Sequence, residues 1–201
     1  YALAQKDVKR LFTFLVVSEI GYLVGGAWLG NKAGLTGAIY HISADGLMTA
    51  ALFMSLGAFT YYSGSTQLSA LKGVFKKMPA TTVAFLIVAF SMIGIPPTAG
   101  FFSKWYLLTG AYQAGAYHFM IALLASSLIN AILFFKIIEV GYFGATPDEK
   151  PVPSVEAERK QEAPFSMVAS LMAVSLSILV LGFYAKEVVE FIDLFLVIKG
   201  F

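Results

Sequence analysis

The stretch Gly94-Ile-Pro-Pro-Thr-Ala-Gly-Phe-Phe-Ser-Lys104 lies inside an apolar run from Thr81 to Tyr112. A helix that crosses a bilayer takes about 20 apolar residues, and this run is longer than that. Pro96 and Pro97 lack an N–H and clash with the preceding turn. The spacing therefore predicts two half-helices broken over Gly94–Gly100, with Gly94, Pro96, Pro97 and Gly100 forming the break. Irregular backbone at membrane depth is tolerated only where protein or a water-filled cavity covers it. The break is expected to be sheltered inside protein with Lys104 beside it, an arrangement suited to an ion path.

The rest of the chain reads the same way. Its 201 residues are 58% hydrophobic and 13% charged, with a mean hydropathy of +0.77, outside the range of soluble domains. Five spans are predicted in a single membrane domain over residues 1–201: about 11–30, 35–62, 81–112 (broken), 119–143 and 165–184. The fold class is all-α integral membrane. The absence of cysteine excludes iron–sulfur ligation, thiolate haem, CxxC redox chemistry and disulfides. Gly25–Gly30 has the wrong spacing for a dinucleotide loop, and no Ser/His/Asp grouping lies outside the spans. His41 and His118 are poorly placed to act as a haem pair. No cofactor, metal or nucleic-acid partner is expected.

The net charge of +2 carries less than its distribution. Lys6, Lys9, Arg10, Lys72, Lys76, Lys77, Lys150, Arg159 and Lys160 fall on one side, and Lys32, Lys186 and Lys199 on the other. The positive-inside rule then puts the N-terminal end and loops 63–80 and 144–164 in the cytoplasm, and the C-terminus outside. Asp7 reads as the N-cap of the first span. Gly21, Gly25, Gly26 and Gly30 are spaced to let another helix approach closely. Residues 144–164 are charged and proline-rich, a solvated linker in composition. Residues 185–201 suggest an amphipathic tail along the membrane surface. The first residue is Tyr1, so a trimmed chain or fragment is expected.

A charge at the bilayer centre costs about 2.5–3.5 kcal/mol, so Glu19, His41, Asp45, Lys104, Lys136 and Glu139 are expected to face protein or water. Lys104 is the leading relay candidate, against simple snorkelling to the interface. His41, Asp45 and Thr49 are spaced four apart on one helical face; a proton-exchanging pair and a satisfied core histidine both fit. Glu19 lies midway through its span. Lys136 and Glu139 are one turn apart, as a relay pair or an interfacial ion pair. Ser126, Ser127 and Asn130 suit interhelical hydrogen bonds.

These residues carry a resemblance. Asp7-Val-Lys-Arg-Leu11, Ser18-Glu-Ile-Gly-Tyr22, Tyr40–Phe53, Gly94–Lys104 and Glu162-Ala-Pro-Phe-Ser-Met167 follow in order the motifs of antiporter-like proton-translocating membrane subunits. That family serves respiratory complex I, Mrp cation/proton antiporters and membrane-bound hydrogenases. The resemblance implies the last five helices of a fourteen-helix inverted-repeat subunit, with partner membrane subunits around it and lipid outside. It implies proton or sodium/proton translocation, with Lys104 taking part in outward release and His41 feeding it. The alternatives are an Mrp-type antiporter subunit and a structural unit that no longer pumps. The chain departs from the pattern at Asp45 and Thr49, where the family often has a second histidine and then a lysine, and at Glu19, a position more often neutral.

Overall fold

The computed structural model describes residues 1–143 and 162–198. The elements are α1 (Val8–Trp28), α2 (Lys32–Ser63), α3 (Val74–Lys77), α4 (Pro79–Ile93), α5 (Ala99–Gln113), α6 (Tyr117–Phe143), α7 (Phe165–Phe183) and α8 (Ala185–Ile198). Among the described residues all regular structure is helical, apart from an isolated antiparallel bridge between Asp7 and Gln67. Four helices, α1, α2, α6 and α7, are long and apolar enough to cross a membrane. Residues 144–161 of the predicted linker and the end of the tail at 199–201 lie outside the described residues.

Local chemistry sets the ends of these helices. Asp7 caps α1 through a 3.0 Å bond accepted from Arg10 N. Asn31 caps α2, accepting from Gly34 N at 2.8 Å, and its amide also donates to Gly110 O at 2.7 Å. One side chain thus starts α2 and ties it to the far end of α5. Glu162 satisfies the start of α4 by accepting from Ala80 N at 3.1 Å and from Thr81 Oγ1 at 2.5 Å. Gly94 closes α4 in the left-handed conformation, with φ of +96°.

The long helix α2 is the spine. Near its start, Gly37 meets the backbone of Tyr106 and Leu107, and Gly34 meets Gly110. Near its end, Phe59 packs edge-on against Phe85 of α4 at 5.6 Å. The halves α4 and α5 therefore run antiparallel to α2 along its length, as one interrupted path. Fifteen residues each give about 22 Å per half, short of the ~30 Å hydrocarbon core. Helix α7 covers the break from one side, where a Cβ on Gly182 would lie 2.1 Å from Pro97 O. Thr98, Ala99 and Gly100 are buried, while Ile95, Pro96 and Pro97 are exposed on this chain's surface.

The main core fills the half containing α4, with Phe12, Phe59, Phe75, Phe85 and Phe134 fully buried. A smaller cluster of Tyr22, Ala38, Leu107 and Leu123 occupies the other half. Of the α1 glycines, Gly25 is filled by the Phe119 ring and Gly26 by Leu107, whereas Gly21 is open. Helix α8 turns Ala185, Val189, Ile192 and Leu196 inward. It is fixed at Asp193, which accepts from Thr36 Oγ1 at 2.6 Å and pairs with Lys32 at 3.2 Å.

Candidate functional site

A helical carbonyl ordinarily accepts from the N–H four residues on. For Met92 that residue is Pro96, which has none. The break therefore leaves Met92 O free inside the bundle, and two side chains converge on it. Lys104 Nζ donates to it at 2.5 Å, and Asn130 Nδ2 lies at 3.4 Å. The stem of Lys104 passes Gly94, where a Cβ would meet its Cδ at 3.4 Å. Ser91 helps to set the second half, its Oγ accepting from Gly100 N at 3.0 Å.

Glu19 of α1 lies beside this amine. Its Oε1 is 3.7 Å from Lys104 Nζ and accepts from Asn130 Nδ2 at 3.0 Å. Its Oε2 faces His41 Nε2 at 3.5 Å. Glu19 and His41 are wholly buried and Lys104 is 4% exposed, so the three groups are shielded from bulk solvent. Buried charges are retained in membrane bundles when they pair or serve a path, and Glu19 here pairs with Lys104 on one side and faces His41 on the other. The Tyr22 ring sits under the amine at 5.4 Å, and its hydroxyl bonds Ser126 Oγ.

The far side of the imidazole is held by Ser103, with Nδ1 to Oγ at 3.0 Å. Ser103 Oγ also donates to Gly100 O at 3.0 Å, which uses its single hydrogen. In that arrangement Nδ1 carries the ring proton, and Nε2 presents a lone pair to Glu19 Oε2. Neither of those two facing atoms has a hydrogen-bond partner. One proton placed between them satisfies both. The other tautomer puts a proton on Nε2, in the same gap. Either way the gap is the natural place for a mobile proton.

Asp45 is half-buried at the edge of the cluster and accepts from Thr49 Oγ1 at 3.3 Å. One ligand atom from each of Glu19, His41 and Asp45 falls within 4.8 Å of the others. Lys104, Glu19, His41 and Asp45, read from the sequence as site residues, are thus brought together from α1, α2 and α5. Lys136 and Glu139 are not. Both are exposed on α6, about 9 Å or more along the helix axis from Asn130. Sequence reasoning missed Ser91, Ser103 and the Met92 carbonyl. The signal for the carbonyl was present, because a proline inside an apolar helical run cannot donate to the carbonyl four residues before it.

Comparison with known proteins places this geometry. Residues 1–130 match the family described as "NADH:quinone oxidoreductase/Mrp antiporter, TM". The chain is 38% identical to NADH-quinone oxidoreductase subunit N of Desulforudis audaxviator, over 94% of this chain and 39% of that one. It is 34% identical to the putative antiporter subunit mnhD2 of Staphylococcus aureus, over 74% of this chain and 30% of that one. It superposes on a chain of the Mrp complex from Dietzia sp. DQ12-45-1b with a TM-score of 0.84 at 26% identity, over 96% of this chain and 42% of that one. The chain spans about two-fifths or less of the length of these relatives. It is a membrane-embedded member of the NADH:quinone oxidoreductase/Mrp antiporter transmembrane family.

Proposed function

We propose that this chain translocates protons, or exchanges protons for a cation, as the C-terminal, last-five-helix portion of an antiporter-like subunit in a multi-subunit membrane complex. The observation that carries the reading is the buried row His41–Glu19–Lys104 at the break, with two unpartnered acceptors facing each other inside it. Glu19 offers one oxygen to each basic group. A proton on His41 Nε2 passes to Glu19 Oε2. Rotation of the protonated carboxyl group then carries that proton to the Lys104 side, where it passes to the neutral amine and leaves the carboxylate behind, and Lys104 releases the proton outward. The gaps of 3.5 and 3.7 Å exceed the distance of direct transfer by well under 1 Å. A small side-chain rotation or one bridging water closes each. Asp45 and Thr49, half-buried at the rim, supply His41. The basic side of the chain faces the cytoplasm in this reading, supported by nine basic residues against three.

Replacing Lys104 by Met in the assembled complex keeps the stem and removes the exchangeable proton. Proton translocation in vesicles is expected to be lost while the complex still co-purifies. Undiminished pumping rejects the relay. The identity with a putative antiporter subunit supports a second reading, cation/proton exchange without redox input. Sodium-dependent proton release in vesicles lacking any redox substrate distinguishes it.

A further inference from the structure

Lys136 lines a cleft at the basic end of the bundle, floored in part by Leu68 and Val140 and away from the buried cluster. The cleft measures about 300 Å³ and is walled by Gln5, Lys6, Gln67, Ser69, Lys72 and Lys136, the lower end of the range for ligand sites. Its walls belong to three segments that are tied together. Leu68 N donates to Lys6 O and Val8 N to Thr66 O, both at 2.8 Å, and Gly73 N donates to Val140 O at 3.4 Å. The ring of Phe75 presses on Gly141, where a Cβ would stand 2.6 Å from it, so this loop is seated firmly on α6. Asp7, next to Lys6, is engaged with Arg10 N, Thr66 and Gln67. Glu139 sits on the exposed surface of α6 and is not part of the lining.

Apart from Glu139, one turn beyond it, the exposed surface of α6 around Lys136 is apolar: Leu128, Ile132 and Phe143 are 64%, 50% and 75% exposed. In a spanning helix such a surface meets acyl chains or another membrane helix. Lys136 lies seven residues before the end of α6 at Phe143, about 10 Å along the axis. An ammonium at that depth extends toward the headgroup layer rather than the bilayer centre. Lys6 lines the same cleft, and the hydroxyl of Ser69 adds a donor.

We propose that this cleft binds the phosphate of an anionic phospholipid, with Lys6 and Lys136 supplying the charge. The site is independent of the relay, and it gives Lys136 a role that its place in an apolar helix did not reveal. The lipid source follows from the depth of Lys136, near the end of a spanning helix where an ammonium reaches the headgroup layer.

The test is a phosphatidylglycerol titration of the purified complex, with retained lipid counted by native mass spectrometry and phosphatidylcholine as the neutral comparison. A basic residue near anionic lipid is worth about fivefold in affinity. The double variant Lys6→Gln/Lys136→Gln should therefore weaken phosphatidylglycerol about 25-fold. The double variant Lys9→Gln/Arg10→Gln, an equal charge change outside the cleft, should stay within about twofold of the parent, and Lys136→Arg should retain the lipid. If the first double fails to assemble, Lys136→Gln alone changes one exposed side chain and should show the fivefold loss. Equal weakening by both doubles, no weakening by the first, or displacement of the lipid by millimolar inorganic phosphate each overturns the proposal.

Discussion

Gly100→Ala puts one methyl group where the two half-helices are closest. A Cβ built on Gly100 would stand 1.9 Å from Ser91 O and 2.7 Å from Ser91 C. Carbon and carbonyl oxygen rest at about 3.3 Å or more, so the start of α5 must retreat from α4 by roughly 1.4 Å. These are main-chain atoms and no rotamer relieves them. The retreat carries the 3.0 Å bond from Gly100 N to Ser91 Oγ past hydrogen-bond length, a loss of about 1 kcal/mol. Overpacking adds about 1–3 kcal/mol. The same retreat moves Lys104, one turn further along α5, away from Met92 O and Glu19. Misplacing a reacting group by about 1 Å costs on the order of 100-fold in rate. We expect a complex that assembles, has a lower thermal midpoint, and translocates protons about 100 times more slowly in proteoliposomes. Ser91→Ala should not rescue it, because only the contact at 3.0 Å belongs to the Ser91 hydroxyl. Gly46→Ala is the control. It is one residue from Asp45, has nothing within 4 Å of a Cβ, and should leave transport unchanged. A Gly100→Ala complex with parental midpoint and rate would refute the close packing of the break and the dependence of Lys104 on it.

Two further outcomes test the frame around the site. The Thr66 hydroxyl and the Arg10 N–H hold the Asp7 carboxyl below its ordinary value. A lowered native value stabilises the cap above the unfolded value of about 3.9. That contribution fades as pH falls through the native value. Protection of the Arg10 amide, taken relative to its intrinsic exchange rate, should fall below about pH 4, and Asp7→Ala should cost about 1 kcal/mol at neutral pH; unchanged protection in the variant would sink the cap assignment. At the other end, Asp193→Ala should lower stability by about 1–2 kcal/mol. Thr36→Val should reproduce most of that loss and Lys32→Gln little, since the Lys32–Asp193 pair is 44% and 37% exposed. A reversed order would assign the hold on α8 to charge instead of to the buried hydroxyl.

The sequence disclosed the break and its lysine because proline and charge are both conspicuous in an apolar run. It placed His41 and Asp45 on one face, since residues four apart differ by only about 40° around a helix. It could not say which other helix supplied their partners. Glu19 and Lys104 meet from helices with α2 between them in the chain, and α1, α5 and α6 are apolar almost all round. Periodicity, which orients a soluble helix, therefore had little to act on. The same lack of contrast hid the difference between Asn130 and Lys136. Six residues turn a helix by about 600°, so the two lie about 120° apart. Asn130 faces Glu19, and Lys136 faces outward. Ser103 was hidden by its neighbour: Lys104 drew the attention, yet it is the serine that fixes His41.

The two prolines do more than interrupt a helix. Glu19 attracts Lys104 strongly only while the side chain is an ammonium. The Met92 carbonyl accepts an N–H from an ammonium or from a neutral amine alike. A relay lysine held by the carboxylate alone would lose its anchor on giving up its proton and drift from the row. With Met92 O at 2.5 Å the amine keeps one fixed partner through both states. Asn130, bonded to Glu19 and close to the same carbonyl, keeps the carboxylate from following the departing charge. An unbroken helix could not provide this, because residue 96 would take that carbonyl for itself. In the proposed relay the break is therefore part of the proton chemistry: the acceptor exists because α4 stops at Gly94 and residue 96 is a proline that cannot donate, and it stands where the amine needs a partner indifferent to charge.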